Sequence, residues 1–193
     1  SLHLRGGGDW ALHLDVASGA VARRAFALLR AAGIRSELRT YRRSAFDRAT
    51  RYQVHVEGGE DSLVVLVAAG VLDSRHAPLE RPPRRVIARA CCRRAYLRGA
   101  FLGGGSLSSR GSSHLELRTA SLGGAAFLVE VADEEGVRLT AVERRGHAVA
   151  YAKSWDTIET LLSLMGAAET VLALEERSVI AATSGSWVTI TMV

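Results

Sequence analysis

The sequence predicts an α+β fold built from two tandem αββαββα half-domains, in which antiparallel sheets form a saddle with helices on one face. The main observation is an internal repeat at an offset of about 103 residues, slightly shorter towards the end of each copy. The matched segments are residues 11–16 with 114–119, 33–34 with 136–137, and 61–71 with 157–167. A second observation is that strand-like and helix-like apolar spacing follow in the same order in both copies. Chance similarity rarely preserves element order, so we expect a duplication.

The elements of each copy follow from apolar spacing and from capping residues. Strands are predicted where apolar and polar residues alternate, and helices where apolar residues recur every three or four positions. Ser18 and Ser121 are expected to cap the first helix of their copies, which Gly33 and Gly136 end. Gly146 is expected in a tight turn. The predicted strands are residues 11–16, 34–42, 51–56, 114–119, 137–144 and 147–153, and the helices that close the copies are residues 63–69 and 157–165.

The repeat also predicts the domain organisation. The first copy covers residues 1–73, a linker with all three prolines covers 74–86, the second copy covers 87–177, and residues 178–193 form an atypical, strand-like tail. A helix is predicted over residues 87–102, ahead of the strands of the second copy. By the repeat, the same helix should precede Ser1, so we expect the first copy to lack its first helix.

Composition excludes several classes of protein. The chain has 193 residues and is 48% hydrophobic, enough for one substantial core or two small ones. It contains neither an apolar run of about 20 residues nor a leader-like start, so we expect a cytoplasmic protein. Cys91 and Cys92 are adjacent, which would strain a disulfide between them, and no other cluster has metal-ligand spacing. We therefore expect both to be reduced, packed thiols.

The net charge of +5 is unevenly distributed. The chain through Arg98 carries about +9, and the remainder about −4. Lys153 is the only lysine, and the planar guanidinium of arginine suits phosphate contacts. A GC-rich genome would equally explain the preference for arginine over lysine, but it does not explain why the charge is concentrated in the first half of the chain.

The segment LRGAFLGGGSL, residues 97–107, resembles the LAGLIDADG helix and the strand that follows it. Its glycines end a helix instead of opening one, which argues against a phosphate-binding loop. The LAGLIDADG resemblance implies that two such helices pack through small residues, here Gly99, Ala100, Gly103 and Gly104. It also implies that an acidic residue before the Gly-Ser pair holds a divalent metal in active endonucleases. That position is Gly104, which offers no ligand atom, so we expect no metal, no cofactor and no catalysis.

Most of the chain is similar to the N-terminal region of the WhiA family. The residues that carry the resemblance are Ser1, TRYQVH at 50–55, LRGAFLGGGS at 97–106, LMGA at 164–167 and EER at 175–177. The resemblance implies a degenerate, non-catalytic LAGLIDADG-like module of a bacterial regulator of transcription in sporulation and cell division, associated with the nucleoid. It also implies a following helix-turn-helix that reads sequence, which we expect to be absent from this chain.

Candidate binding residues are arginines on two surfaces. If Leu38 and Thr40 face the helices, the residues between them face away, together with Arg51, Gln53 and His55 of the neighbouring strand. The candidates on the sheets are Arg35, Arg39, Arg43, Arg51, Arg118, Arg138 and Arg144. A run of arginines without an acidic residue crosses the linker and the next helix, and its candidates are Arg84, Arg85 and Arg89.

Three functions stay open at this point. The first is salt-dependent, low-specificity contact with DNA, or contact with RNA polymerase or its sigma factor, although Asp15, Glu37 and Glu116 lie on the predicted sheet face and would repel phosphates. The second is a metal-dependent endonuclease in which Glu116 or Asp15 replaces the missing acid. The third is a protein-binding scaffold. Both arginine sets would equally suit a simple solvated surface.

Overall fold

The structure is a computed structural model that describes residues 2–4, 10–42, 50–108, 113–174 and 176. The chain divides into two compact units, unit 1 and unit 2, with the boundary between Pro82 and Pro83. Within the described ranges, no helix has both the length and the apolar character that crossing a membrane requires.

The two units have the same topology, which confirms the duplicated α+β fold. Unit 1 contains β1 (Leu2–Leu4), β2 (Trp10–Val16), α1 (Gly19–Ala31), β3 (Ser36–Arg42), β4 (Thr50–Glu57) and α2 (Glu60–Ala68). Unit 2 contains α3 (Arg84–Ile87), α4 (Ala90–Gly104), β5 (Gly105–Ser108), β6 (His114–Thr119), α5 (Leu122–Asp133), β7 (Thr140–Arg144), β8 (His147–Ala152) and α6 (Trp155–Leu164). The antiparallel strand orders are β1-β2-β4-β3 and β5-β6-β8-β7, so each strand of one sheet has a counterpart in the other.

Local capping fixes the ends of the helices as predicted. Ser18 Oγ accepts a hydrogen bond from the amide of Val21 at 3.4 Å, and Ser121 Oγ accepts one from the amide of Gly124 at 3.1 Å. After the helices, Gly33 and Gly136 have φ of 80° and 79°, in the left-handed region that glycine adopts without strain. Gly146 has φ of 80° in the turn between β7 and β8. Each of these features involves residues within a few positions of one another in the sequence, which is why it was predictable.

The helix predicted over residues 87–102 is wrong at its start. The chain forms a separate turn, α3, and then passes through Arg89 in an extended conformation before α4 begins. Ile87 is buried in the core of unit 2. Arg93 Nη1 donates to the carbonyl oxygens of Ile87 at 3.4 Å and Ala88 at 3.0 Å. The arginine thereby satisfies carbonyls that the break leaves without helical partners.

The cores of the two units differ in size. Unit 2 has one continuous cluster in which α4, α5 and α6 cover the sheet, with Leu97 and Leu128 almost fully buried. Unit 1 has two small clusters around Val56 and Val54. Between α1, α2 and its sheet lies an apolar groove of about 440 Å³. The apolar surface of unit 1 is therefore less completely covered.

The groove of unit 1 is lined in part by β2 and α1, whose counterparts in unit 2, β6 and α5, contact α4. Leu28 lines the groove and is 54% exposed. By the repeat offset, its counterpart in α5 is Val131, which is 1% exposed in the core that α4 helps to form. The different exposure of these two matched positions is consistent with the cover that α4 provides.

Candidate nucleic-acid interface

Strand register places four of the predicted arginines on the sheet face opposite the helices, namely Arg39, Arg51, Arg118 and Arg144. Leu38 lies opposite Val54, which belongs to the helix side, whereas Arg39 lies opposite Gln53. Directly opposed residues of antiparallel strands share a face. The first polar face, in unit 1, consists of His13, Asp15, Glu37, Arg39, Tyr41, Arg51, Gln53 and His55. The second polar face, in unit 2, consists of His114, Glu116, Arg118, Thr140, Val142, Arg144, His147, Val149 and Tyr151.

The acidic residues of the first polar face are held by neighbours on the same face. Asp15 Oδ1 accepts hydrogen bonds from Tyr41 Oη at 3.1 Å and from Gln53 Nε2 at 3.0 Å. Arg39 donates to Glu37 Oε2 from Nη2 at 2.7 Å and from Nε at 3.0 Å. The hydrogen bond and the charge of Arg39 lower the pKa of Glu37. These contacts reduce both the repulsion of an anion and the positive charge available to attract one.

His55 was predicted to face outward, and it lies on the polar face, but it is only 2% exposed. It belongs to β4, which has β2 on one side and β3 on the other. The centroids of the His13 and His55 rings are 4.7 Å apart. His55 lies opposite His13 of β2 and Glu37 of β3, and these neighbouring side chains leave little room for water around its ring. The sequence could not show this, because burial here depends on the pairing of distant strands.

On the second polar face, Glu116 lies between two basic partners. His114 Nε2 is 2.7 Å from Glu116 Oε1, and Arg144 forms an ion pair with the same oxygen. Burial raises the pKa of Glu116, but the hydrogen bond of His114 and the charges of Arg144 and His114 lower it below its usual value. Arg144 therefore has an internal counter-ion.

Arg118 differs from Arg144 and Arg39. Its side chain is exposed on β6, and it has no ion pair with the residues that the structure describes. Nearby on the same face, Lys153 Nζ lies 5.5 Å from the centre of the Tyr151 ring, which stands beside His114. Among Arg39, Arg118 and Arg144 on the polar faces, Arg118 is thus the arginine whose charge is least neutralised from within.

The remaining sheet candidates lie in different surroundings. Arg35 and Arg138 are exposed and stand just before β3 and β7. Arg51 is half-buried on β4. Arg43 lies outside the described residues. Arg39, Arg118 and Arg144 are therefore the exposed candidates that strand register fixes on the polar faces.

The linker and helix arginines have acidic partners, contrary to the expectation drawn from their own segment. Arg93 Nε and Arg94 Nε each lie 2.7 Å from a carboxylate oxygen of Glu135. Arg84 Nη2 lies 3.3 Å from Glu134. Both glutamates follow α5, about 41 residues further along the chain than Arg94, so the pairing depends on how α4 packs against α5. Part of this basic run stabilises unit 2 and is not free for a partner.

Arg85 and Arg89 are exposed at the start of this region. Arg85 is part of α3, and Arg89 occupies the N-cap of α4, where it contacts Cys92. Neither side chain lies on a polar face. The two candidate surfaces of the sequence are therefore distinct, and Arg118 is an exposed arginine on a polar face that has no ion pair among the described residues.

The small residues of α4 that the resemblance assigns to a helix interface lie in different surroundings. Gly99 and Gly103 are exposed, and a Cβ on either would meet no atom within 4 Å. Ala100 instead packs against the core of its own unit, so it is not part of that open surface. Gly104 ends the helix, where a Cβ would come within 3.0 Å of the carbonyl oxygen of Arg118.

The divalent metal that the fold family implies does not fit this part of the chain. Gly104 brings no oxygen ligand to the junction between α4 and β5. Elsewhere in the described residues, no three His, Cys, Asp or Glu side chains are placed to hold a metal ion.

Two successive units, each with a four-stranded antiparallel sheet, a helical side and a polar side, define a duplicated LAGLIDADG-type domain. Two family models match the chain: a WhiA N-terminal LAGLIDADG-like domain over residues 1–68 and a WhiA LAGLIDADG-like domain over residues 93–183. The chain belongs to the WhiA family.

A curated relative agrees with this assignment, and a solved structure shares the fold. The probable cell division protein WhiA of Heliobacterium modesticaldum is 34% identical over 180 residues, which cover 91% of this chain and 56% of the relative. Full-length WhiA from Thermatoga maritima matches with a TM-score of 0.66 at 17% identity, covering 97% of this chain and 57% of that chain. The chain thus spans little more than half the length of these relatives.

The same fold occurs in a DNA-cleaving enzyme. The homing endonuclease I-DmoI, in a complex with DNA and Mn, matches with a TM-score of 0.57 at 12% identity, covering 86% of this chain and 87% of that chain. At this level of identity, the similarity shows a shared fold.

Proposed function

We propose that this chain is a non-catalytic module of a WhiA-type regulator of transcription in cell division and sporulation, and that its polar sheet faces contact the DNA backbone with low sequence specificity. The observation that carries the proposal is the exposed, internally unneutralised Arg118 on the face opposite the helices. The complex of I-DmoI with DNA supports the choice of partner. We assign promoter choice to the helix-turn-helix that the family resemblance implies.

The internal ion pairs set the order in which the arginines contribute. To meet a phosphate, Arg39 must leave Glu37 and Arg144 must leave Glu116. Arg118 has no such competitor among the described residues. We therefore expect its phosphate contact to give the largest gain in binding free energy.

The test is the affinity for a labelled DNA duplex of arbitrary sequence, measured by fluorescence anisotropy across a potassium chloride series. The logarithm of the association constant falls linearly with the logarithm of the salt concentration, and removing one phosphate contact should make this slope less steep by about 1. We expect this change for Arg118→Ala and a smaller one for Arg39→Ala. Arg23→Ala is the matched control, because Arg23 is exposed on α1, on the helical side of unit 1.

A reversed effect is expected when a competing acid is removed. Glu116→Gln should strengthen binding at low salt, because Arg144 loses its counter-ion. If duplex binding is absent at low salt, or if Arg118→Ala and Arg23→Ala behave alike, the DNA-contact proposal is wrong, and a protein partner such as RNA polymerase or its sigma factor becomes the better assignment. Incubation of plasmid DNA with Mg²⁺ should leave the DNA intact, and cleavage would overturn the non-catalytic assignment.

A further inference from the structure

Two thiols lie side by side at the start of α4, away from the polar faces. Cys91 is exposed, which corrects the expectation that both cysteines are packed, and Cys92 is partly exposed. Their Sγ atoms are 4.0 Å apart. They are the only cysteines of the chain and the second and third residues of the helix. Converging sulfurs form a ligand pair, which a single surface cysteine does not offer.

The surroundings of the two sulfurs favour negative charge. The Arg89 side chain hydrogen-bonds to Cys92 and lowers the pKa of that thiol, and the hydrogen bond with Cys91 lowers it further, against the opposite effect of burial. The first turn of α4 contains no acidic residue. The amide groups at the N-terminus of this 15-residue helix add a partial positive charge.

The number of ligands selects the kind of ion. Zinc in structural sites takes four ligands, and the described residues contain no group of three or more His, Cys, Asp or Glu side chains placed to hold a metal. Thiolate pairs suit a soft ion of low coordination number, such as Cu(I). With a metal–sulfur bond of about 2.3 Å, two sulfurs 4.0 Å apart subtend about 120° at the ion. That angle fits a three-coordinate ion whose third ligand comes from solution.

We infer that Cys91 and Cys92 form a chelating site for a soft monovalent cation of the Cu(I) type, a property separate from the proposed DNA contact. Binding converts one Cu⁺ and two thiols into an anionic bis-thiolate complex and releases two protons, without a change of oxidation state. The complex has a charge of −1. Arg89 and the N-terminal end of α4 balance that charge.

The site is tested on the full, reduced chain under anaerobic conditions, by competition for Cu(I) against the chromophoric chelator bicinchoninate. We expect one tightly bound Cu(I) per chain. Cys91→Ser and Cys92→Ser should each weaken binding at least 100-fold, because each leaves a single sulfur. Arg89→Ala should keep the stoichiometry and weaken binding about fivefold, the effect of losing one exposed cation beside the anionic complex. Arg23→Ala is the matched arginine control.

The single variants decide the outcome. If Cys91→Ser binds Cu(I) as tightly as the native chain, the two sulfurs do not act together and the inference is wrong. The same holds if tight binding survives in the double serine variant. Cys91 is exposed, so its replacement should leave the fold intact, and a native circular dichroism spectrum verifies this. A weak effect of Arg89→Ala, similar to that of Arg23→Ala, would remove the charge-balancing role.

Discussion

Glu135 shows how one residue fixes the packing of unit 2. Its side chain is only 3% exposed, and it accepts hydrogen bonds from Arg93 and Arg94 at 2.7 Å each. Burial raises the pKa of Glu135, but the hydrogen bonds and charges of the two arginines lower it below the usual value. The carboxylate therefore stays ionised, and it holds the α4 arginines against the turn that follows α5.

Replacing Glu135 by Gln should lower the free energy of unfolding at pH 7 by about 1–2 kcal/mol, because Arg93, 15% exposed, loses its nearest counter-ion and keeps only Glu134, 3.3 Å away. A carboxylate with a lowered folded pKa stabilises the protein above its unfolded pKa of about 4.3, and this contribution is lost as the pH falls through the folded value. The difference between native and variant in urea unfolding should therefore shrink below about pH 4. Glu143→Gln is the control, because Glu143 is an exposed residue of β7, and it should change stability by less than about 0.5 kcal/mol. Equal stability of the native chain and Glu135→Gln would contradict this role.

At the scale of elements, the cover provided by α4 distinguishes the two units. Leu28 in α1 and Val131 in α5 are matched by the repeat, yet they are 54% and 1% exposed. Val131→Ala should cost about 1–3 kcal/mol, whereas Leu28→Ala should cost less than about 1 kcal/mol although it removes more atoms. Urea unfolding of the two variants measures this order. The reverse order would mean that Leu28 contributes to a core that the structure does not show.

At the scale of the whole molecule, the buried apolar residues are concentrated in unit 2. Its single cluster combines three helices and a sheet, while unit 1 has two small clusters. Since local stability follows the density of buried contacts, hydrogen exchange should be faster in β4 than in β8, the central strands of the two sheets. Mass spectrometry of peptides from these strands provides the measurement. Equal protection in both would show that cluster size does not set local stability here.

The sequence predicted the features that depend on neighbours along the chain. The period of apolar residues located the strands, Ser18 and Ser121 located two helix starts, and the offset between the copies predicted the shared topology. Alternation along β3 also assigned Arg39 to the face opposite the helices. These features were predictable because capping bonds, glycine turns and side-chain alternation are set within a few residues.

Tertiary structure decided which charges are available and which side chains are covered. The arginines of α4 have no acidic residue near them in sequence, but the packing of α4 against α5 brings Glu135 to Arg93 and Arg94. Strand pairing buried His55. Because Arg144 forms an ion pair with Glu116, Arg118 is the stronger phosphate candidate on the second polar face. Duplication and local structure thus follow from the sequence alone, whereas charge neutralisation and burial follow from contacts between distant segments, because electrostatic and packing energies depend on distance in space.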